Sequence, residues 1–418
     1  MATQLHNRFS DEQIKELLSM YLKGKITRKY LQDLLKIKKS RFFVLIKKFK
    51  TNPNTFSIKY VRKIKTRKIS KSIEKNIIKE LSKDKKLILN KNIPVKKYNY
   101  SFIKDTLKEK YNQNVYLPTI INRAKTHGFY IPKKKSIVHD KEVITNYIGE
   151  LVQHDSSFHL WAPLANEKWY LISTIDDYSR LILYAQFVKK ETSFSNIFAL
   201  KSVFLLFGLP MTFYVDSHSI FRFVQNRDSI WRKHTLLTDD IDTQWKQVLN
   251  DSNVNVTYAL SPQAKGKIER SYAWIQDRIV RSCVRENVSD IKSAQILLDK
   301  EIFRYNHKQV HAITQEIPYY RFNNAFLNGK SLFRKFSIKS PFISHKDIFC
   351  IRHKRTIDAY RRISFFGLTF SVKGSPYDVI ELRTYKINDT ISEIRFWYKN
   401  NLIDVKKVKN SDIKGVHF

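Results

Sequence analysis

The chain has 418 residues, 42% of them hydrophobic and 13% aromatic, which supplies several packed cores and excludes a disordered polymer. Its 77 Lys and Arg against 38 Asp and Glu leave a formal charge of +39, which points to a polyanionic partner and to nucleic acid first. Two isolated cysteines, Cys283 and Cys350, exclude a disulfide framework and a cysteine-based zinc site, and the longest apolar run, residues 203–209, is too short to cross a bilayer.

The opening, MATQLHNRFSDEQ, lacks the apolar run of a secretory signal, so a soluble intracellular protein with no membrane partner is expected. Residues 1–140 carry 36 basic and 10 acidic side chains, most of the net charge, and read as an electrostatic anchor. Ser10 is placed to cap a helix in which Ile14, Leu17, Leu18 and Tyr21 recur at helical spacing until Gly24. Shorter helical patterns follow at 28–35 and 40–49. The third is basic at Lys38, Lys39, Arg41, Lys47 and Lys48, so residues 1–50 are expected to form a DNA-binding helix-turn-helix with that helix in the major groove. A generic three-helix bundle is the alternative. Residues 51–70 read as a basic linker. Residues 71–130 read as a second helical, helix-turn-helix-like DNA-binding domain, and residues 131–145 as another linker.

From Glu150 the period changes. LVQHDSSFHLW, KWYLISTIDD, RLILYAQFV, TFYVD and VNVTYAL are short and rich in β-branched and aromatic residues. Helical stretches lie between the later ones, and a further helix starts near Gly266. Three strands followed by alternating helix and strand predict a mixed α/β sheet with helices on its faces over residues 146–325. Residues 340–418 alternate again and predict a small SH3-like β-barrel of about five strands. The fold class is therefore multidomain: all-α at the N-terminus, α/β in the centre, β-barrel at the C-terminus.

Three carboxylates sit on separate central elements. Asp155 lies in the first strand, Asp216 ends the fourth, and Glu269 begins the helix after the fifth. In a mixed sheet of this order the end of strand four neighbours strand one, and the helix after strand five lays its first turn over the same edge. The acids then converge on an oxygen-rich pocket suited to Mg2+ or Mn2+. Two such ions about 4 Å apart would flank a scissile phosphate. Two of the acids also have an ordinary reading, Asp216 as a turn cap and Glu269 as a charge at a positive helix end, whereas a lone Asp among the apolar neighbours of Asp155 is uncommon without a role. Asp176 and Asp177, in TIDDYSR, read as a hairpin turn. Asp239 and Asp240 are rival acids in a loop-like context. His154, His159 and His218 flank the first two acids, and His218 is expected to orient a metal ligand or the nucleophile.

The helix from Gly266 carries two stripes. Ile268, Tyr272, Ile275, Ile279 and Cys283 face a core; Arg270, Trp274, Arg278, Arg281 and Arg285 lie nearly opposite, as a solvated face or a phosphate-binding one. Gln263, Lys265, Lys267 and Arg270 are the candidates for contact with DNA beside Glu269.

LVQHDSSFHLW, STIDDYSRLILYAQFVKKETSF, FYVDSHSIF, TQW and SPQAKGKIERSYAWIQDRIV together resemble the catalytic core of DDE transposases with the retroviral-integrase-type, RNase H-like fold. The likeness is greatest to the ISNCY family of insertion-sequence transposases and covers residues 146–324. It implies that Asp155, Asp216 and Glu269 are the catalytic triad and hold two Mg2+ or Mn2+ ions during catalysis. It further implies cleavage at transposon ends, 3′-OH strand transfer into target DNA, recognition of terminal inverted repeats, a homodimer or higher oligomer on DNA, and a bacterial cytoplasmic location at the nucleoid. The pattern departs from the family in places. Fifty-two residues separate Asp216 from Glu269, more than in retroviral integrases, although ISNCY members carry an insertion there. Ser156 and Phe158 stand where Gly and Pro are common, and Ser217 where a basic residue is. The His/Cys zinc motif of retroviral integrases is absent, so no structural zinc is expected. A nuclease of the same fold that cuts without joining, and a catalytically silent DNA-binding protein, are the alternatives.

Overall fold

The computed structural model describes residues 4–59, 69–132, 144–216, 218–222, 242–259 and 266–418, without the side chains of residues 266, 267 and 269. Two units divide the chain, Met1–Glu74 and Lys75–Phe418.

In the first unit Ser10 caps helix α1 (Asp11–Leu22) as its sequence predicts. The Ser10 hydroxyl accepts from the Gln13 N–H, and the Gln13 side chain accepts from the Ser10 N–H, so two otherwise orphaned donors are satisfied. Gly24 follows at φ 69°, a left-handed turn that ends the helical run. Helices α2 (Arg28–Leu35) and α3 (Lys39–Thr51) complete the trio. Ile14, Leu18, Leu31, Leu35, Phe42 and Leu45 form the core, and Phe56 and Ile58 belong to it. The expected linker therefore does not begin at 51: two of its apolar side chains are buried, and Asp11 Oδ1 accepts from the Ile58 N–H at 2.7 Å.

The second unit opens with the helices α4 (Lys71–Leu89, whose first turn precedes the division), α5 (Tyr100–Tyr111) and α6 (Leu117–Thr126). A five-stranded sheet follows: β1 (Leu151–His159), β2 (Trp169–Asp176), β3 (Ile182–Val188), β4 (Thr212–Val215) and β5 (Asn255–Tyr258), in the order β3-β2-β1-β4-β5. The first three strands are antiparallel; β4 and β5 run parallel to β1. Helices α7 (Ser193–Leu206) and α8 (Gln244–Asp251) bury Phe194, Leu200, Phe204, Trp245 and Leu249 against one face. Helices α9 (Gly266–Arg285) and α10 (Ile291–Lys308) cover the other with Ile268, Ile275, Ile279 and Leu298. The mixed sheet with helices on both faces is the predicted one, because its strands alternate on a period of two and its helices carry apolar stripes.

After α11 (Pro318–Leu327) and the short α12 (His345–Ile348) come six strands: β6 (Ile351–Thr356), β7 (Arg362–Phe365), β8 (Leu368–Ser371), β9 (Val379–Lys386), β10 (Ile391–Tyr398) and β11 (Asn401–Lys409). Four form an open antiparallel sheet in the order β11-β10-β9-β6, while β7 and β8 form a separate hairpin. The expected small barrel of about five strands is corrected in closure: the strands form an open sheet and a separate hairpin. Ile380, Leu382, Ile394 and Phe396 line one face of this sheet, on which the β7–β8 hairpin packs through Phe370 on Phe396 and Phe365 on His353, while α7 and α8 meet the opposite face at Tyr385 and Arg352. Among the described residues no helix is long and apolar enough to cross a membrane.

Candidate active site

Strand register brings the two aspartates together. Leu151, Val152 and Gln153 of β1 pair in parallel with Thr212, Phe213 and Tyr214 of β4. Two residues further at the same offset, Asp155 stands level with Asp216. Alternation puts Val152 and His154 on the α7–α8 face, and Gln153 and Asp155 on the α9 face. His154 is fully buried there, with Thr174 Oγ1 at 2.8 Å from Nδ1, Asn196 Oδ1 at 2.9 Å from Nε2, and its ring stacked on Trp245. It packs the sheet, on the side away from the acids. Asp155 and Asp216 are both half-buried.

The third acid comes from α9, whose core stripe docks as its spacing predicts: Ile268, Tyr272, Ile275, Ile279 and Cys283 are all buried. Two hydrogen bonds tie its first turns to β1. The Ile268 N–H donates to Gln153 Oε1 at 3.2 Å, and the Tyr272 hydroxyl donates to the Asp155 carbonyl. Glu269 follows Ile268 in that first turn, and its side chain lies outside the described residues. Burial holds the Tyr272 phenol far above its ordinary range, and the charges of Asp155 and Glu191 add to the effect. Sequence alone gives no role to Gln153 or Glu191. A signal for Gln153 is its place two residues before Asp155, a polar side chain on the same strand face; Glu191 stands in a polar turn and offers none.

His218 is exposed. Its backbone N–H donates to Asp216 Oδ1 at 2.9 Å, and its Nδ1 faces the Ile220 N–H at 3.5 Å. The backbone of His218 thus orients Asp216, while its ring turns to the following turn. Asp176 and Asp177 serve the β2–β3 hairpin. Asp176 accepts from the Gly149 N–H and from both the N–H and hydroxyl of Ser179, and burial pushes its carboxyl up to about 6. Asp177 accepts from Thr145 Oγ1 at 2.8 Å and Gln153 Nε2 at 2.6 Å.

The arginine stripe of α9 needs correction. Arg278 and Arg281 are fully buried, neither solvated nor open to phosphate. Arg278 bonds Glu301 Oε2 and Asp105 Oδ2, each at 2.7 Å; Arg281 bonds Asp84 Oδ2 at 2.6 Å and Asp277 Oδ1 at 2.9 Å; Arg285 bonds Glu80 Oε2 at 2.8 Å. Apart from Asp277 of α9 itself, the acids come from α4, α5 and α10, so the stripe fastens the second helical group to the back of α9. Sequence spacing shows the stripe, but the partners on α4 and α5, Glu80, Asp84 and Asp105, lie 173 to 205 residues away in the chain. Arg270 alone of the stripe's arginines is exposed. Gln263 and Lys265 lie outside the described residues, as do Asp239, Asp240 and the side chain of Lys267. On α3, Lys39, Arg41, Lys47 and Lys48 are exposed, with Lys48 Nζ donating to the Ser57 carbonyl at 2.6 Å.

Among the described residues no three His, Cys, Asp or Glu side chains form a metal-sized cluster. The donor chemistry nevertheless fits a hard divalent cation: two half-buried carboxylates stand level on adjacent parallel strands, and a helix bearing a third acid is tied to one of them.

No family model matches the chain. In sequence it is similar to insertion-sequence transposases. It is 28% identical over 233 residues to "Putative transposase y4bF" of Sinorhizobium fredii (strain NBRC 101917 / NGR234), a match covering 56% of this chain and 46% of that protein. It is 28% identical over 177 residues to "Transposase for insertion sequence IS1202" of Streptococcus pneumoniae, covering 42% of this chain and 36% of the relative. The match thus spans less than half the length of these curated relatives. Solved structures that resemble it include the HTLV-2 integrase catalytic core domain in complex with magnesium, trimeric form, at TM-score 0.32 and 15% identity over 42% of this chain and 96% of that one. Another is the simian T-cell lymphotropic virus intasome in complex with PP2A regulatory subunit B56 gamma, at TM-score 0.35 and 13% identity over 71% of this chain and 89% of that one.

Proposed function

We propose that the chain is a DNA transposase, a polynucleotidyl transferase that cuts at the ends of its own element and joins them to target DNA. The observation that supports this reading is the register of β1 on β4, Leu151–Gln153 against Thr212–Tyr214, whose continuation would bring Asp155 level with Asp216 on the face where α9 starts. Similarity to insertion-sequence transposases supports it. Asp155, Asp216 and Glu269 would hold the divalent ions, Mg2+ or Mn2+. When bound, such ions lower the pKa of an attacking water or 3′-OH and stabilise the leaving oxygen.

The remaining parts of the reaction belong to this chain's own residues. In the first step a water oxygen bonds to phosphorus, the bond from phosphorus to the 3′ oxygen breaks, and a 3′-OH is released. In the second that 3′-OH attacks a target phosphate, one P–O bond replacing another, with no covalent enzyme intermediate. The His218 N–H fixes one oxygen of Asp216, and the ties from β1 to α9 fix the helix start. Exposed Arg270, with Gln263, Lys265 and Lys267 before it, would bind the phosphates beside the cut. Lys39, Arg41, Lys47 and Lys48 on α3 would bind the terminal repeat. Transposition joins two ends, so a homodimer or higher assembly on DNA is part of the proposal.

The test is an end-joining assay on DNA carrying the inverted repeats that flank the gene. Asp155→Asn, Asp216→Asn and Glu269→Gln are each expected to reduce joining by about a hundredfold or more, with gel-shift affinity held within about threefold. Full joining by any of the three would remove that residue from the site. Cleavage without joined product in the wild-type chain would favour a nuclease. Binding with neither product would favour a silent DNA-binding protein.

A further inference from the structure

We infer that Gln153 is the positioning residue for Glu269: its buried amide, anchored on Asp177, caps the start of α9 from the strand that bears Asp155. The inference rests on the functional reading above, in which Glu269 is a metal ligand.

A helix start leaves its first N–H groups without intrahelical partners. In most helices a side chain just before the first turn supplies an acceptor. Here the Ile268 N–H, in the first turn of α9, donates to Gln153 Oε1 at 3.2 Å, across 115 positions of sequence. Gln153 is 1% exposed, so both ends of its amide need partners. Its Nε2 donates to Asp177 Oδ1 at 2.6 Å. That contact fixes the orientation of the amide, because only the nitrogen can donate to a carboxylate, and the oxygen is then left to face α9. Asp177 is itself held, by Thr145 Oγ1 at 2.8 Å and by Arg180 Nη1 at 3.3 Å.

The result is a line of hydrogen bonds from the β2–β3 hairpin, through β1, to the residue next to Glu269. A second tie, the Tyr272 hydroxyl on the Asp155 carbonyl, lies one turn further along α9. Together they reference the helix start to the strand of the first aspartate. Between β5, which ends at Tyr258, and α9, which starts at Gly266, the chain has only a short connection of residues 259–265, and such a connection does not by itself set a carboxylate to within the tolerance of a metal site. The tether across the sheet can, because it joins two rigid elements directly. Gln153 is two residues from Asp155 and its acceptor bond is one residue from Glu269, so one amide couples the separation of the two acids.

The experiment uses the full chain with Gln153→Met, which keeps length and bulk and removes both hydrogen bonds. Hydrogen exchange of the peptide over residues 266–272, Mn2+ affinity by electron paramagnetic resonance, and end joining against Mg2+ concentration are measured together. We expect exchange in that peptide to rise about tenfold, Mn2+ affinity to fall about tenfold, and joining to recover in part at raised Mg2+. Asp177→Asn retains an acceptor for Gln153 but weakens the anchor, and is expected to move all three readouts in the same direction by less; it decides the matter if Gln153→Met does not fold. Wild-type exchange and Mn2+ affinity in Gln153→Met would overturn the inference. So would lost joining with unchanged Mn2+ affinity, which would make Gln153 a residue of the fold alone. Glu269→Gln in the same titration separates the two layers: unchanged Mn2+ affinity there would overturn the functional reading, while the exchange of residues 266–272 still decides the tether.

Discussion

Four acidic side chains on the central sheet show how environment divides one chemistry into two tasks. Asp155, in the middle of β1, and Asp216, just past the end of β4, are half-buried. Asp176 and Asp177 are buried completely and spend their oxygens on the hairpin and on Gln153. Burial raises Asp176 to about 6, so the folded chain holds that proton more tightly than the unfolded chain, where aspartate titrates near 3.8. The stabilisation is fully present below the unfolded value and is lost as pH rises through about 6. Asp176→Asn, which cannot titrate, is expected to flatten the fall in unfolding free energy between about pH 4 and about pH 7, measured by denaturant titration at each pH. Tyr272 offers a smaller test. Tyr272→Phe removes only the hydroxyl that reaches the Asp155 carbonyl, and is expected to cost about 1 kcal/mol in the same measurement.

At the scale of elements, α9 is the hinge of the arrangement because three of its sides are committed. Its apolar stripe meets the sheet, its first turn meets β1, and its arginines meet α4, α5 and α10. The arginine contacts bury charge, and removing one partner leaves the other unpaired in a dry site. Arg281→Met is therefore expected to destabilise the chain by about 3 kcal/mol, because Asp84 is fully buried opposite it. Denaturant titration gives the figure, and a change under about 1 kcal/mol would show that Arg285 alone satisfies Asp84. In the first unit the cap of α1 carries a separate expectation: Ser10→Ala should cost about 1 kcal/mol, read from thermal unfolding.

At the scale of the whole molecule the formal charge of +39 sets how the chain meets its partner. If DNA is that partner, the logarithm of affinity should fall linearly and steeply with the logarithm of salt concentration, since each phosphate contact releases counterions. Titration at several salt concentrations checks this, and a flat response would contradict an electrostatic anchor. The sequence by itself determined the order of elements, because periods of two and of 3.6 are local properties: the cap at Ser10, the strands from Glu150 and the apolar stripe of α9 are all visible in short windows. The positions of the three acids on these elements were legible for the same reason: Asp155 within β1, Asp216 just past β4 and Glu269 in the first turn of α9. Only the tertiary structure decided what those elements were given to touch. It turned the arginine stripe inward, since Asp84, Asp105 and Glu301 reach it from distant helices. It drew Phe56 and Ile58 into the first core, and folded the β7–β8 hairpin over the apolar face of the C-terminal sheet, Phe370 on Phe396, leaving the opposite face to α7 and α8. It made Gln153 a cap for a helix 115 residues away. Periodicity is written residue by residue, whereas partnership depends on which surfaces the folded chain brings within a hydrogen bond of one another.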